Sequence, residues 1–297
     1  MLAIAQSGNT YHYLNWIPSE SGPMVTNYGK IHKEIEDLEK FKQHHYEILA
    51  EIILTIENEE PICTYSLDMK NFIFSTCYVD ADNPNLNSWY QRQIKDEILT
   101  DIMDYYYYPI HNGSSQLFSI AVPKMIRRSF QDNMRRLKAR LNGISTGIFS
   151  AENGARNWFH ADKLDSYLVW KIGNKKKDEI LYIYNNQLES YFSITRTAEK
   201  VKINWQFGNK DAVDMISQYI EHLANNKNQP KVPVNKIFIY TCNGNIYDVK
   251  DFQKKGMENM ILLNPLCVLD MTEKEKVNVY STLSLAETGN AFGNIDV

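Results

Sequence analysis

Residues 166–195 read SYLVWKIGNKKKDEILYIYNNQLESYFSIT and contain three apolar, β-prone runs. Polar residues separate the runs, with a first turn at Gly173 to Lys177 and a second at Asn185-Asn186. The predicted strands are Ser166 to Ile172, Glu179 to Tyr184 and Leu188 to Thr195. Turn residues at this spacing are typical of strands joined by hairpins. The stretch therefore predicts an antiparallel meander of three strands.

The same pattern occurs at the N-terminus, where residues 2–28 read LAIAQSGNTYHYLNWIPSESGPMVTNY. The predicted strands are Leu2 to Gln6, Tyr11 to Ile17 and Pro23 to Tyr28, with turns at Ser7-Gly8-Asn9 and Ser19 to Gly22. The two meanders begin about 165 residues apart, which is far longer than the repeat of a solenoid. Because 297 residues exceed the size at which one core keeps growing, we expect a duplicated α/β domain in two lobes.

Helices and further strands are predicted between and after the meanders. Apolar residues at helical spacing up to Ile56 predict a helix with one buried face. Pro123 opens another helix, and its predicted inward side chains are Ile126, Phe130, Leu137 and Leu141. The remaining predicted strands are 62–66, 71–79, 103–110, 116–122, 144–149, 236–241 and 260–263, and the remaining helices are 86–100, a short one from 151, 211–224, 250–257 and 276–292.

Composition excludes several classes of protein. With 43% hydrophobic and 23% charged residues, the chain is typical of a globular protein. No window approaches the roughly 18 apolar residues of a membrane span, and the first apolar run is too short for a signal peptide. The cysteines, which we expect to be reduced core residues, lack the spacing of a zinc site or a disulfide framework; they are Cys63, Cys77, Cys242 and Cys267.

Charge and histidine placement add two local expectations. The net charge of −4 predicts no overall attraction to nucleic acid, although the helix after Pro123 has a basic face. That face is a solvated surface or a patch for an acidic partner or lipid headgroups, and it comprises Arg127, Arg128, Arg135, Arg136, Lys138 and Arg140. His44 and His45 point about 100° apart on a helix, so we expect one outward and one at the buried edge. His160 with Asp162 lacks a third metal ligand.

Motifs of the common hydrolases are missing from the sequence. There is no G-x-S-x-G elbow, no G-x-x-x-x-G-K-[ST] loop and no H-E-x-x-H helix. We therefore predict no catalytic residue and no metal ligand from these motifs.

Several local segments, taken in order along the chain, match short motifs of one protein family. Thr64-Tyr65-Ser66-Leu67 with Phe72-Ile73-Phe74 resembles an "SLP" strand pair, and Trp89 to Tyr106 resembles a helix that ends in "DY". The other matching segments are Ile120-Ala121-Val122-Pro123-Lys124 for "AAPK", Asn264-Pro265 for "NP", and Leu283 to Phe292 for the terminal helix. In this order the segments resemble the PilM-like family of actin-like proteins that assemble type IV pili.

The resemblance implies a fold, a domain plan and a partner. The fold is the duplicated actin-like (ribonuclease-H-like) two-lobed α/β fold with an insertion subdomain as in FtsA and PilM. The first lobe would span 1–162, with the insertion at about 67–141, and the second lobe would span 163–297. The resemblance further implies a cytoplasmic platform, attached peripherally at the inner membrane, that binds the cytoplasmic peptide of an inner-membrane assembly protein.

The chain departs from the family at the nucleotide motifs. In the family's first phosphate turn, "D-x-G-S", Ala5 stands at the aspartate position and Ser7 at the glycine position. The second turn, "D-x-G", reads Lys171-Ile172-Gly173 here, so a lysine stands at the aspartate position. The adenosine-side "G-G-x" is reduced to Cys242-Asn243-Gly244. Because phosphoryl transfer depends on positioned metal and charge, loss of both carboxylates predicts negligible ATPase activity.

Three functional hypotheses follow. The first is a non-catalytic scaffold with no cofactor, or with ATP bound without hydrolysis and with Lys171 in place of the metal. The second is an active ATPase or sugar kinase, which requires a cleft carboxylate such as Asp178 or Glu179. The third is a stand-alone degenerate actin-like protein.

The first hypothesis names two sets of residues. The residues expected around a nucleotide are Ser7, Gly8, Asn9, Thr10, Lys171, Gly173, Asn174, Asn243 and Gly244. The residues expected to anchor a partner peptide, in a groove between the first lobe and the insertion, are Phe72, Phe74, Trp89, Arg92 and Tyr105.

Overall fold

The computed structural model describes nine segments of the chain. They are residues 1–34, 41–56, 60–78, 103–109, 116–197, 200–224, 233–242, 259–271 and 284–292. Within these segments the strands form two six-stranded sheets and one three-stranded sheet. The predicted helices at 86–100 and 250–257 lie outside the described residues.

The first sheet is built on the N-terminal meander. Its strands are β1 (Leu2–Ser7), β2 (Thr10–Ser19), β3 (Gly22–His32), β4 (Ile62–Leu67), β8 (Arg140–Thr146) and β15 (Asp270–Met271). Their order is β15-β3-β2-β1-β4-β8. The meander strands are antiparallel, whereas β4 runs parallel to both β1 and β8. The predicted N-terminal meander is confirmed.

The second sheet repeats this arrangement. Its strands are β9 (Ser166–Ile172), β10 (Lys177–Tyr184), β11 (Gln187–Arg196), β12 (Val201–Gly208), β13 (Lys236–Thr241) and β14 (Met260–Leu262). Their order is β12-β11-β10-β9-β13-β14, so the meander again lies beside two parallel strands. The shared order confirms the predicted duplication. Strand β12 was not predicted, because it lies at an edge and its side chains are only partly buried.

A third sheet lies between β4 and β8 in sequence. It consists of β5 (Ile73–Tyr78), β6 (Met103–Pro109) and β7 (Gln116–Pro123), in the order β5-β7-β6. These strands fall inside the predicted insertion at 67–141. The predicted boundary at residue 162 stays a prediction, and β15 from the C-terminal half joins the first sheet beside β3.

Helices cover the sheets, and two of their boundaries differ from the prediction. The helices are α1 (Phe41–Leu54), α2 (Lys124–Arg136), α3 (Gly147–Phe159) and α4 (Lys210–Ala224). The chain leaves α2 through Lys138, whose φ is +53°, so Leu137 lies beyond the helix and Leu141 lies in β8. The strand predicted at 144–149 was wrong at its end, because a short apolar run does not distinguish a buried helix from a strand.

Single buried residues follow the predicted patterns with one exception. His45 is buried against Tyr65, at 3.1 Å from Nδ1 to the tyrosine oxygen, while His44 is only partly buried. Burial lowers the pKa of His45 to about 3, so the ring is neutral in the core. Cys63 is a free buried thiol as expected and Cys242 is partly buried, whereas Cys267 is exposed and the prediction of a core position was wrong there.

One core joins the two halves of the chain. Apolar side chains from β1, β4 and α3 share a cluster with Tyr167, Val169 and Phe238 of the second sheet. The opposite face of the second sheet packs on α4 through Leu168 and Trp170. Because side chains alternate along a strand, the odd-numbered residues of β9 face the first half of the chain. Lys171 is one of them.

Candidate functional site

Lys171 lies at the end of β9 and is almost fully buried, with 8% of its side chain exposed. Its Nζ is 2.8 Å from Oε1 of Glu287 and 3.6 Å from Oε1 of Glu179. The hydroxyl of Tyr240 donates to Glu287 Oε1 at 2.9 Å, and that of Tyr191 donates to Glu179 Oε2 at 3.0 Å. We refer to these five residues as the lysine cluster. Each carboxylate is held by both a cation and a tyrosine.

Burial and the neighbouring charges together determine the protonation states in the lysine cluster. Burial alone would lower the pKa of Lys171, but the charges of Glu179 and Glu287 outweigh it and raise that pKa well above its ordinary value. Burial, reinforced by the same carboxylates, raises the pKa of Tyr191 and of Tyr240. The ammonium therefore stays charged and the phenols stay protonated donors.

Glu287 reaches the cluster because two glycines allow a close approach. It lies in a 3-10 helix, Ala286–Ala291, that packs on α3. A Cβ on Gly147, the first residue of α3, would lie 2.3 Å from the carboxyl carbon of Glu287, and one on Gly289 would lie 2.2 Å from the carbonyl oxygen of Ser150. The Glu287 carboxylate thus lies against the N-terminal end of α3, where the helix dipole favours negative charge.

The first predicted phosphate turn makes its own contacts within the chain. Gly8 has φ +60°, and its N–H donates to Oδ2 of Asp68 at 3.0 Å. Thr10 Oγ1 lies 3.2 Å from Nδ1 of His32, and Ser7 and Asn9 complete the turn. Burial raises the pKa of Asp68, and the charge of Glu287 adds to the increase while Lys171 opposes it. Asp68 therefore links the first turn electrostatically to the lysine cluster.

The second predicted phosphate turn is closed by Asp178. Its Oδ1 accepts from the N–H of Gly173 at 3.3 Å, and its Oδ2 accepts from Nε1 of Trp170 at 3.0 Å and from Arg196. Asn174 follows in an exposed 3-10 turn. Adjacent strand residues point to opposite faces, so Glu179 faces the lysine cluster and Asp178 does not. Of the two carboxylates considered from sequence, only Glu179 lies beside Lys171.

The structure brings together some of the predicted nucleotide residues and adds others. Lys171 pairs with Glu287 and the N–H of Gly8 donates to Asp68, and sequence reasoning selected neither carboxylate. Asn243 and Gly244 lie outside the described residues. The only sequence signal for Glu287 is a single carboxylate in the otherwise apolar and small run LSLAETGNAFG at 283–293. In the part of the chain that is described, no three His, Cys, Asp or Glu side chains are placed to hold a metal ion.

The residues predicted to anchor a partner have different surroundings. Phe72 is buried, and the Phe74 ring lies 5.9 Å from Phe118, 5.7 Å from Tyr191 and 6.3 Å from Trp205. These aromatic rings fill the contact between the three-stranded sheet and the second sheet. Tyr105 lies in β6, where its backbone is in register with Ala121 of β7, and Trp89 and Arg92 lie outside the described residues. The groove stays a prediction.

Comparison with known proteins places the fold. No family model matches the chain, and no curated protein matches it. A chain of the PilM-PilN type IV pilus biogenesis complex superposes with a TM-score of 0.63 and 10% identity, covering 98% of this chain and 97% of that one. The cytoplasmic domain of EpsL, an inner-membrane component of the type II secretion system of Vibrio cholerae, gives a TM-score of 0.47 at 11% identity over 81% of each chain.

A third solved structure is a protein of unknown function with an actin-like ATPase fold from Bacteroides thetaiotaomicron. It has a TM-score of 0.41 and 10% identity, and it covers 97% of this chain and 93% of that one. None of the described helices is both long and apolar enough to cross a membrane. The repeated strand order and the superposition on the pilus complex identify the chain as a duplicated actin-like α/β fold with two sheets and an inserted three-stranded sheet.

Proposed function

We propose that the chain is a non-catalytic actin-like scaffold that binds the cytoplasmic peptide of an inner-membrane protein in a pilus-like or secretion-like machine. The observation that carries the proposal is the ion pair of 2.8 Å between Lys171 Nζ and Glu287 Oε1. It occupies the end of β9, where the resemblance expects a carboxylate that directs a metal. The chain has the two-lobed framework of a nucleotide-binding fold. However, the ammonium of Lys171 stands where a carboxylate that directs a metal is expected.

The residues present do not fit a magnesium nucleotide. A triphosphate needs backbone N–H donors and a metal held by carboxylates. Here the N–H of Gly8 already donates to Asp68, and the Glu179 and Glu287 carboxylates already pair with Lys171. The Glu287 carboxylate also lies at the helix N-terminus that would favour phosphate. We therefore assign no step of phosphoryl transfer to these residues.

The fold supports the second half of the proposal. The superposition on a chain of the PilM-PilN complex extends over nearly the whole of both chains. A framework that has lost its metal ligands but kept both sheets and a shared core is suited to present a surface to another protein. The scaffold role would then depend on surfaces of the lobes rather than on the lysine cluster.

Titration calorimetry with ATP tests the non-catalytic role. We expect no heat of binding at millimolar ATP, with or without Mg²⁺, because Glu179 and Glu287 already neutralise the charge of Lys171. An active actin-like ATPase in the same buffer is the positive control. Binding that is independent of Mg²⁺ would instead favour the metal-free nucleotide hypothesis, and Mg²⁺-dependent hydrolysis would favour the enzyme hypothesis.

Capture of membrane proteins tests the partner. The immobilised chain should retain, from detergent-solubilised inner membranes of its source cells, a protein with a short cytoplasmic tail, and a synthetic peptide of that tail should compete. W89A/R92A should weaken peptide binding by roughly 10-fold or more if the two residues are anchors. Y184A/K163A removes an aromatic residue and a cationic residue from exposed positions and serves as the matched control. Undiminished binding by a folded W89A/R92A variant would reject this groove.

A further inference from the structure

Positive charge is concentrated in one short segment of the chain. Residues 124–140 contain seven Lys or Arg and one Asp, which gives the segment a charge of +6. Because the whole chain carries −4, the other residues together carry −10. A composition this uneven produces a local field that the net charge does not show.

Part of this charge lies on the exposed side of α2. The helix buries Phe130, Asn133 and Met134, and the opposite side holds the exposed Arg128 and Arg135. Residues 125, 128, 132 and 136 are three or four positions apart, so they form one row on the helix surface. Met125 begins that row with 78% of the residue exposed. An unusually exposed methionine therefore begins a row that continues with Arg128, Asp132 and Arg136.

The charge continues past the end of the helix. Lys138 adopts φ +53° and turns the chain into β8, where Arg140 is also exposed. A cleft of about 440 Å³ is formed here by Arg135, Lys138, Arg140, Ala139, Ile62 and Glu60. Ile62 is 37% exposed and contributes apolar surface to the cleft. The cleft thus combines three cationic side chains with one carboxylate, Glu60, and an apolar wall.

We propose that this basic surface, defined as Met125, Arg128, Arg135, Lys138 and Arg140, binds the surface of an anionic lipid bilayer. Phosphate headgroups are matched by guanidinium donors, which bind them in bidentate fashion, and Met125 would enter the interfacial region. A bilayer offers negative charge over a broad area, which suits cations that are spread over a helix, a turn and a strand. The proposal does not depend on the peptide-binding function.

Two other anionic partners fit the surface less well. Protein–protein interfaces combine arginine and methionine with aromatic residues and contain little lysine, whereas the five residues of this surface include a lysine and no aromatic ring. Single-stranded nucleic acid binds on open aromatic rings. The nearby ring of Tyr46 is covered by Arg136, whose guanidinium carbon lies 4.0 Å from the ring centroid. The surface therefore favours lipid headgroups.

Vesicle co-sedimentation of the full chain tests the proposal. We expect binding to vesicles in which a third of the lipid is phosphatidylglycerol, none to pure phosphatidylcholine, and loss of binding between about 50 and 500 mM salt. Each basic residue near an anionic surface contributes about five-fold in affinity, so the R128E/R135E/K138E variant should lose at least ~100-fold. M125S should weaken binding a few-fold and leave its salt dependence unchanged.

The matched control reverses three other exposed lysines. The K175E/K176E/K177E variant has the same change of charge in the turn between β9 and β10, and it should bind within about three-fold of the wild type. Thermal unfolding verifies that both variants are folded. Equal loss in the two variants, undiminished binding by R128E/R135E/K138E, or wild-type binding to duplex DNA or polyglutamate but not to anionic vesicles would overturn the proposal.

Discussion

The K171A variant should be less stable than the wild type by about 3–5 kcal/mol, because it leaves the buried Glu287 and the partly buried Glu179 without their cation. Lys171 is 8% exposed in its side chain and pairs with Glu287 at 2.8 Å and Glu179 at 3.6 Å. Removing the ammonium leaves each carboxylate with a tyrosine donor as its remaining partner among the contacts described above. Urea-induced unfolding, followed by circular dichroism, measures the change in the free energy of unfolding.

The control for K171A removes the carboxylates as well. K171M/E179Q/E287Q keeps the approximate volumes but carries no charge, and replacement of a buried ion pair as a unit is often close to neutral. We expect this triple variant to recover at least half of the stability that K171A loses. Coupling between Lys171 and Glu287 in a double-mutant cycle should exceed about 1 kcal/mol. A loss below about 1 kcal/mol for K171A would mean that water solvates the cluster, contrary to the burial found here.

The G289A variant should be destabilised by about 3 kcal/mol or more, because its methyl group has no space. A Cβ at this position would lie 2.2 Å from the carbonyl oxygen of Ser150 and 2.4 Å from the backbone nitrogen of Gly154. Both contacts are with the backbone of α3, so no side-chain rotation can relieve them. The segment 284–292 would have to move away from α3, and Glu287 would move with it.

The control for G289A is G8A, which tests a different property of glycine. Gly8 has φ +60°, but no heavy atom lies within 4 Å of the Cβ position. Alanine there should cost only the left-handed backbone penalty, about 1–2 kcal/mol. Hydrogen exchange should show loss of protection in 284–292 for G289A and not for G8A. Equal effects of the two substitutions on stability and exchange would contradict the close packing of the C-terminal segment on α3.

Together these two predictions concern one structural unit. The segment 284–292 packs on α3 through Gly289 and supplies Glu287 to Lys171 of the second sheet. It therefore connects a helix that lies against the first sheet to a strand of the second. The same carboxylate that pairs with Lys171 also lies at the N-terminal end of α3, so Glu287 links that helix to β9.

Predictions from local sequence succeeded where the pattern was repeated or periodic. Both meanders have β-prone runs separated by turn residues at hairpin spacing, α1 has helical spacing, and the structure confirms all three. The start of α3 was placed four residues late, because the apolar residues Ile148 and Phe149 fit the end of a buried strand as well as the start of a buried helix. Strand β12 was missed since an edge strand has a weak burial pattern.

The amino-acid sequence by itself determined that the chain has two copies of a strand meander, and that a lysine stands where the resembling family has a carboxylate. Only the tertiary structure decided what that lysine does. Lys171 and Glu287 are separated by more than a hundred positions, and no periodicity connects them. Their pairing depends on the packing of residues 284–292 against α3, which short-range patterns do not encode because it is determined by close contact between glycine backbones.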